Sequence, residues 1–251
     1  MKLTFLGTSH GKPEYKRAMT AMALETRGAT YLIDAGAPVV NRMLDYGIDI
    51  ESVKAVFITH THRDHVAGLL DLVRVVNIDK IFESASIDYY FPEQNAILAI
   101  KEYAASIMQP VREDVNRFHL FAEGEIYKDE NIRVTAIPTA HLANANRPAY
   151  AFLVECEGKR LLFSGDLSQR LLAGDFPRIA SEVDIDLCIQ EMAHFDLETL
   201  LPNLIDSKIK AVYFNHMVWH ADRIPKIRAA QKDGRLKLDV GIANDGDVIY
   251  L

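Results

Sequence analysis

The sequence predicts a four-layer α/β protein in which two mixed sheets pack on each other and carry helices on their outer sides. Three observations predict it: short apolar strand-like runs outnumber helix-like stretches, helices punctuate both parts of the chain, and the two parts resemble each other. The 251 residues are 49% apolar and 25% charged, which is typical of an ordinary globular protein with a sizeable core. We therefore expect a single domain over residues 1–251.

Internal similarity is visible in two pairs of segments at nearly the same offset. Residues 3–10 (LTFLGTSH) resemble residues 134–141 (VTAIPTAH), and each pattern is a strand followed by a loop that ends in histidine. Residues 24–34 and 154–164 each have the pattern of a hairpin that turns at glycine. Because chance matches of apolar strings are common, neither pair alone would indicate a repeat.

A third pair follows in the same order along the chain. Residues 55–60 (AVFITH) and 211–216 (AVYFNH) are both apolar strands that place a histidine at the carboxyl end. The three pairs together indicate an old duplication, with halves of roughly 1–125 and 126–251.

Helical periodicity and stop signals predict four helices, over residues 38–46, 65–76, 93–108 and 221–232. The chain ends in IANDGDVIYL, a pattern that predicts a last hairpin turning at Asn244-Asp245-Gly246. No run approaches the roughly 20 apolar residues that span a bilayer. The first residues also lack a signal-peptide pattern. We expect a cytoplasmic protein that does not contact membranes.

Charge and cysteine content argue against other classes. Lys and Arg number 28 against 35 Asp and Glu, a net charge of −7, and no basic block occurs. A large nucleic-acid footprint needs clustered cations, so none is expected. Cys156 and Cys188 lie far apart in apolar runs, which indicates buried free thiols rather than a disulfide framework or a thiolate metal site.

The densest chemistry lies in ITHTHRDHVAGL, which holds His60, His62, Asp64 and His65 directly after a strand-like run. Neutral imidazole and carboxylate suit divalent zinc, manganese or iron, and a loop can aim alternate side chains at different ions. The alternative is a solvated polar turn without a ligand. The dense spacing argues against that alternative.

Further donors are expected because one short run cannot surround two ions. His141, Asp166 and His216 each stand at the end of a strand-like run. A lone histidine after a strand is more often a surface residue or an internally bonded one. Three such residues beside an existing cluster favour a common site.

These motifs, HxHxDH after a strand followed in order by PTAH, SGD and a last histidine, resemble the metallo-β-lactamase superfamily over essentially the whole chain. The resemblance implies an αββα sandwich of two similar halves. It also implies two divalent metal ions, with zinc as first choice and manganese or iron as alternatives. The ligands it implies are His60, His62 and His141 for one ion, Asp64, His65 and His216 for the other, and Asp166 between them.

The form HxHxDHxxGL is most similar to the ribonuclease Z and phosphodiesterase branch, but the sequence departs from it. Ribonuclease Z proteins carry a tRNA-binding arm, typically between the third histidine motif and the bridging aspartate; here one hairpin fills the link from His141 to Asp166. The cysteine-ligated zinc of some relatives has no counterpart. The run QEMAH stands where HEAT is usual: Glu191 matches its acid, and Gln190 replaces its histidine. His194 is therefore either a proton donor or a supporting or surface residue.

Other polar residues are expected to support the site or to lie outside it. His10 matches His141 by the repeat and is expected to line the pocket rather than to bind metal. Asp34 is similar to the family's structural aspartate and would orient the backbone or a ligand. His119 and His220 are expected to be structural or surface residues.

Substrate contacts are expected from two stretches of the chain. Pocket walls are expected from residues 84–92, whose aromatic run Tyr89-Tyr90-Phe91 could equally be core, and from residues 142–148. Arg147 in the second loop either clamps a phosphate or is solvated.

The expected mechanism is hydrolysis of a phosphodiester-type substrate. Two divalent ions share a water, lower its pKa and direct the resulting hydroxide, which Asp64 orients, while His194 protonates the leaving oxygen. The substrate would be a small molecule or a short phosphodiester, and a homodimer is expected from relatives. Three alternatives stay open: hydrolysis of another ester, thioester or lactam, an iron-loaded redox enzyme, and a non-catalytic scaffold.

Overall fold

The computed structural model describes residues 1–78, 84–172, 174–217 and 223–251. It divides into two compact units, of which unit 1 comprises residues 1–122 and 244–251 and unit 2 comprises residues 123–243. Each unit contains one seven-stranded sheet. No described helix is long and apolar enough to cross a membrane.

Unit 1 builds its sheet in the order β14-β1-β2-β3-β4-β5-β6 when elements are numbered along the chain. Strands β1 to β3 and β14 pair antiparallel, whereas β3 to β6 pair parallel. The elements are β1 (Lys2–Gly7), β2 (Ala21–Thr26), β3 (Ala29–Ile33), α1 (Val39–Asp45), β4 (Val53–Phe57), α2 (Arg63–Val66), α3 (Leu69–Asn77), β5 (Ile87–Phe91), α4 (Gln94–Ser106), β6 (Asn116–Leu120) and β14 (Val248–Tyr250).

Unit 2 has the sheet order β13-β12-β11-β10-β9-β8-β7. Strands β7 to β10 pair antiparallel and β10 to β13 pair parallel. The elements are β7 (Gly124–Lys128), β8 (Ile132–Pro138), β9 (Tyr150–Cys156), β10 (Lys159–Phe163), α5 (Ile179–Glu182), β11 (Leu187–Met192), α6 (Leu197–Ile205), β12 (Ala211–Met217), α7 (Arg223–Lys232) and β13 (Asp239–Ile242).

The two predicted glycine hairpins are confirmed. Strands β2 and β3 are joined at Arg27-Gly28, and β9 and β10 at Glu157-Gly158. All four turn residues have positive φ, between 48° and 78°. Such two-residue turns match the right-handed twist of the strands, and glycine adopts the required conformation without steric cost.

Helices cover one face of each sheet because their apolar stripes are buried there. Helix α3 buries Leu69, Leu72, Val73 and Val76 at helical spacing, and these side chains join the core of unit 1 with strand residues such as Val56. Helix α6 buries Leu197, Leu200, Leu201 and Leu204 in the core of unit 2. Both free cysteines are buried, as predicted.

The single helix predicted over 65–76 is wrong, since α2 and α3 are separate. The carbonyl of His65 accepts from the amide of Ala35 at 2.8 Å, and the amide of Gly68 donates to the carbonyl of Ala35 at 2.8 Å. These bonds replace the helical pairing at the junction. A side chain at Gly68 would lie 2.8 Å from Val39 Cγ1, so only glycine permits this close approach.

The last hairpin predicted at residues 242–251 is also wrong. Strand β13 pairs parallel with β12 in unit 2, whereas β14 pairs antiparallel with β1 in unit 1. The turn at 244–246 therefore connects two sheets.

The third pair of similar segments occupies non-equivalent positions in the two sheets. The strand that follows the β2–β3 hairpin in parallel register is β4, and its counterpart after the β9–β10 hairpin is β11. The similar segments 55–60 and 211–216 lie instead on β4 and β12. Strand β12 is the next strand after β11, so the two segments are not equivalent. Of the predicted helix over 221–232, α7 accounts for residues from Arg223, and residues 221 and 222 lie outside the described residues.

Candidate metal centre

The donors of unit 1 follow the carboxyl end of β4. His60 is fully buried, Asp64 and His65 are buried on α2, and His62 is exposed just before that helix. The rings of His60 and His65 have centroids 4.1 Å apart, and those of His60 and His62 lie 4.8 Å apart. The structure thus brings together the four residues predicted from the motif.

Asp34 supports this cluster through hydrogen bonds. Its carboxylate accepts from Nδ1 of His65 at 2.7 Å and from the amide and hydroxyl of Thr59 at 2.8 and 3.0 Å. Asp34 is 1% exposed and has a φ of 59°, a conformation that costs most residues energy and is more readily adopted by Asp and Asn. The prediction that Asp34 orients a ligand agrees with these contacts.

The hydrogen bonds fix which imidazole nitrogen carries the proton. A carboxylate only accepts, so Nδ1 of His65 donates to Asp34 and the hydroxyl of Thr59 donates there as well. The Thr59 oxygen then accepts from Nδ1 of His60 at 3.1 Å. Both rings therefore present the lone pair of Nε2, the form in which histidine binds metals.

The donors of unit 2 stand at or just after the ends of three different strands. His141 follows β8, Asp166 follows β10, and His216 lies within the last residues of β12. A β-bulge at His216 shifts the register between β11 and β12, and the residue has a φ of 46°. Bulges of this kind re-aim a side chain, and positive φ at a bulky residue is a cost that functional sites commonly carry.

Asp166 is the centre of the unit 2 cluster. Its Oδ2 atom lies 3.6 Å from Nε2 of His141 and 3.4 Å from Nε2 of His216. Nδ1 of His141 donates to the carbonyl of Leu167 at 3.1 Å, so its Nε2 also presents a lone pair. One carboxylate oxygen near two imidazole nitrogens is an arrangement that could hold a metal ion.

Asp175, which no sequence pattern singled out, fixes the loops that carry these donors. Its carboxylate accepts from the amides of Ala140 and Ser168, both at 2.5 Å, and it is buried. These amides lie beside His141 and Asp166 respectively. Nothing in the local run LAGDFP distinguishes this aspartate from a solvated one, so only tertiary contacts reveal its role.

His194 lies beside the unit 2 donors. Its ring centroid is 4.7 Å from that of His141 and 6.3 Å from that of His216, and its Nε2 is 3.9 Å from Oδ2 of Asp166. Nδ1 of His194 lies 3.0 Å from Oε1 of Glu191, which is almost fully buried. His194 is thus held in the cluster and is not a surface histidine.

The donor chemistry fits divalent metal ions. Bonds of 2.0–2.1 Å to histidine nitrogen or carboxylate oxygen place neighbouring ligand atoms of a tetrahedral site about 3.3 Å apart. Within unit 1 the separation is 3.0 Å for His60 Nε2 to His62 Nδ1 and 3.7 Å for His65 Nε2 to Asp64 Oδ2. The distances around Asp166 in unit 2 fall in the same range.

Several other predicted residues lie outside these clusters. Nδ1 of His10 lies 2.6 Å from Oε1 of Glu14, and His119 is hydrogen-bonded to Asp88 through Nε2 at 2.6 Å. The structure places both in salt-bridge networks of unit 1. His220 lies outside the described residues.

The predicted pocket wall is only partly available to a ligand. Tyr89 and Phe91 are fully buried in the core of unit 1, and the hydroxyl of Tyr89 donates to Asn116 at 2.8 Å. Tyr90 is half-buried and stacks on His119 with ring centroids 4.8 Å apart. Arg147 is exposed. Core packing therefore accounts for two of the three aromatic residues.

Sequence comparison identifies the family. The family model described as "Anti-Pycsar protein Apyc1" matches residues 1–226. A ribonuclease Z of Shouchella clausii (strain KSM-K16) is 33% identical over 167 residues, which cover 63% of this chain and 49% of that protein. The chain spans about half the length of the curated relatives it matches.

Structural comparison covers the whole chain. The metallo-β-lactamase fold protein YhfI from Bacillus subtilis aligns with a TM-score of 0.78 at 17% identity, over 99% of this chain and 98% of that one. The short form of human tRNase Z aligns with a TM-score of 0.74 at 20% identity, over 100% and 99%. These similarities confirm the predicted αββα fold of the metallo-β-lactamase superfamily.

Proposed function

Because the chain belongs to the Apyc1 family of anti-Pycsar proteins, within the metallo-β-lactamase superfamily, we propose that it is a metal-dependent hydrolase of phosphodiesters. The observation that carries the proposal is the donor chemistry. His60, His65 and His141 each donate through Nδ1 to a protein acceptor and so present Nε2 to a ligand. Asp166 places one oxygen near Nε2 of His141 and Nε2 of His216.

We propose that the chain holds two metal ions. His60, His62, His141 and Asp166 would hold one, and Asp64, His65 and His216 would hold the other, with Asp166 shared. Zinc is the first choice because the donors are nitrogen-rich and one carboxylate accompanies each set, whereas manganese or iron would accept the same atoms. Such ions lower the pKa of a bound water and neutralise charge that develops on a phosphate.

The protein residues then have separate tasks. Asp64 directs the attacking water, since it is the carboxylate that α2 places next to His65. The water loses one proton to solvent as its oxygen bonds to phosphorus and the bond to the leaving oxygen breaks, and His194 later regains from solvent the proton that it donates. His194 transfers a proton from Nε2 to that leaving oxygen, and Glu191 stabilises the charged imidazole through Nδ1. The products are a phosphomonoester and an alcohol.

The substrate is proposed to be a small molecule or short phosphodiester. The chain has a net charge of −7 and one short hairpin between His141 and Asp166, which leaves no room there for a tRNA-binding arm. We propose no large nucleic-acid partner and no membrane partner, and we retain the homodimer, the cytoplasmic location and the single domain as predictions.

Hydrolysis of bis(p-nitrophenyl) phosphate tests the proposal. Protein loaded with zinc or manganese should release p-nitrophenol, and His60→Ala or Asp166→Ala should abolish turnover and bound metal. His119→Ala is the matched control, since that histidine is bonded to Asp88 in the same unit and should leave activity unchanged. Absence of turnover in fully metal-loaded protein would contradict the proposal. Stoichiometric iron with a visible absorption band would favour the redox alternative.

A further inference from the structure

The loop that carries His194 is held by a buried arginine from another element. Arg223, the first residue of α7, is 8% exposed, and its guanidinium donates to the carbonyl of Phe195 at 3.0 Å and to that of Ala193 at 3.4 Å. The carbonyl between them, that of His194, accepts from the amide of Arg170 at 3.2 Å. All three successive carbonyls of the loop, at residues 193 to 195, therefore accept a hydrogen bond.

The opposite side of the same loop is held by Glu191. Its Oε2 accepts from the amides of Ala193 at 2.6 Å and His194 at 3.3 Å, while its Oε1 accepts from Leu167 at 3.1 Å and faces Nδ1 of His194. The loop is thus clamped between a carboxylate that binds its N–H groups and a guanidinium that binds its C=O groups. Neither contact involves a proposed metal ligand directly.

Where the structure describes the chain, the Arg223 guanidinium donates to the carbonyls of Phe195 and Ala193. Among the described residues no carboxylate forms an ion pair with it, and its Nε atom, buried as well, has no hydrogen-bond partner there. Burying a guanidinium without a counter-charge is costly. An apolar side chain at this position would pack α7 against the loop without that cost. The presence of a charged arginine therefore indicates that the loop carbonyls must be held in place.

We infer that Arg223 is a positioning residue for proton transfer: it fixes the Ala193–Phe195 backbone so that Nε2 of His194 points at the leaving oxygen. This inference rests on the proposed function. Only arginine has the planar fork needed to reach two carbonyls that lie two residues apart; lysine offers a single point of donation. Because proton donation depends on reach, a small misplacement of His194 should weaken it strongly.

The dependence on the leaving group separates this role from a structural one. A good leaving group such as p-nitrophenolate departs without a proton, whereas phenolate gains much from protonation. The probes are methyl p-nitrophenyl phosphate and methyl phenyl phosphate, hydrolysed by the metal-loaded full chain. Arg223→Met and His194→Ala should both keep kcat on the nitrophenyl ester within about threefold and lose on the order of tenfold or more on the phenyl ester.

Arg235→Met is the matched control. Arg235 lies in the same unit but pairs on the surface with Glu198 and Asp233, so its replacement should not change the ratio of the two rates. Arg223→Lys keeps the charge and should give an intermediate ratio. Should Arg223→Met fail to fold, as shown by its melting curve, the lysine variant carries the test.

The outcomes separate the two proposals. If the wild-type protein with bound metal hydrolyses neither ester, the proposed function fails. If it hydrolyses both, and His194→Ala changes the ratio while the Arg223 variants match Arg235→Met, the function stands and the inference about Arg223 is overturned. An equal loss on both esters in the Arg223 variants would also overturn it, because that result indicates a general structural role.

Discussion

The carboxylate of Asp34 lies 2.7 Å from Nδ1 of His65, and both side chains are almost completely shielded from solvent. This pair sets the tautomer and the direction of a proposed metal ligand from a residue that does not itself belong to the donor sets. Carboxylate–imidazole pairs of this kind raise the basicity of the ligating nitrogen.

Replacing Asp34 should weaken metal binding without removing any donor. We expect Asp34→Ala to lower metal affinity by about 10- to 100-fold, because His65 loses its orienting acceptor. Asp34→Asn tolerates the same positive φ and can still accept from Nδ1, so a smaller loss is expected. Competition with a chromophoric chelator measures both affinities. Wild-type affinity in Asp34→Ala would refute the orienting role.

Metal removal should lower stability as well as activity. Ligands that bind only the folded state stabilise it by mass action, by about 2.7 kcal/mol when present at 100 times Kd. Dialysis against a chelator should therefore lower the melting temperature, and stepwise addition of zinc should restore it. His62→Ala should show a reduced response to zinc, whereas His119→Ala should respond like the wild type. A melting temperature insensitive to chelator and zinc would contradict a bound metal.

Glu191 should be important for stability as well as for catalysis. Its buried carboxylate accepts hydrogen bonds from the backbone amides of three residues and from the imidazole of His194. Glu191→Ala leaves these donors without an acceptor, and we expect a loss of about 2–4 kcal/mol in the free energy of unfolding. Urea denaturation of both proteins with metal removed measures the loss. A difference below about 0.5 kcal/mol would show that water or another group replaces the carboxylate.

Asp88 should contribute a pH-dependent part of the stability of unit 1. Burial by itself would raise the pKa of this carboxyl, but hydrogen bonds from Arg117 at 2.7 Å and His119 at 2.6 Å outweigh it and lower the pKa below 3.8. A depressed pKa in the folded state stabilises the protein above the unfolded pKa, and this stabilisation is lost as pH falls through the folded value.

Replacement of Asp88 tests whether this stabilisation is lost as the pH falls. Asp88→Asn should cost about 1–2 kcal/mol at pH 7, and the difference from wild type should shrink as the pH is lowered toward 3. Asp45→Asn, which removes an exposed ion pair with Arg42, should change stability by less than 0.5 kcal/mol at any pH. Urea midpoints of metal-free protein at pH 7, 5 and 3 decide the question, and a difference that is constant with pH would contradict the linkage.

Much of the site was predictable because its donors follow strands directly in the sequence. The cluster at His60–His65 is local, so the motif alone brings its members together. His141, Asp166 and His216 were predicted from strand ends, since parallel strands present their carboxyl ends at one edge of a sheet. Residues that support the donors were not predictable in this way, and Asp175 and Arg223 act across long stretches of chain.

The sequence by itself determined the class of fold, the two glycine hairpins and the identity of the proposed donors, because these depend on periodicity, turn chemistry and short-range spacing. Only the tertiary structure decided where helix 65–76 breaks, which strands the last turn connects, and whether His194 faces solvent or the donors. Each of these depends on bonds between residues far apart in the chain: Ala35 with His65, β14 with β1, and Glu191 and Arg223 with the loop that carries His194. Local patterns do not specify such long-range partners, since many pairings satisfy the same periodicity.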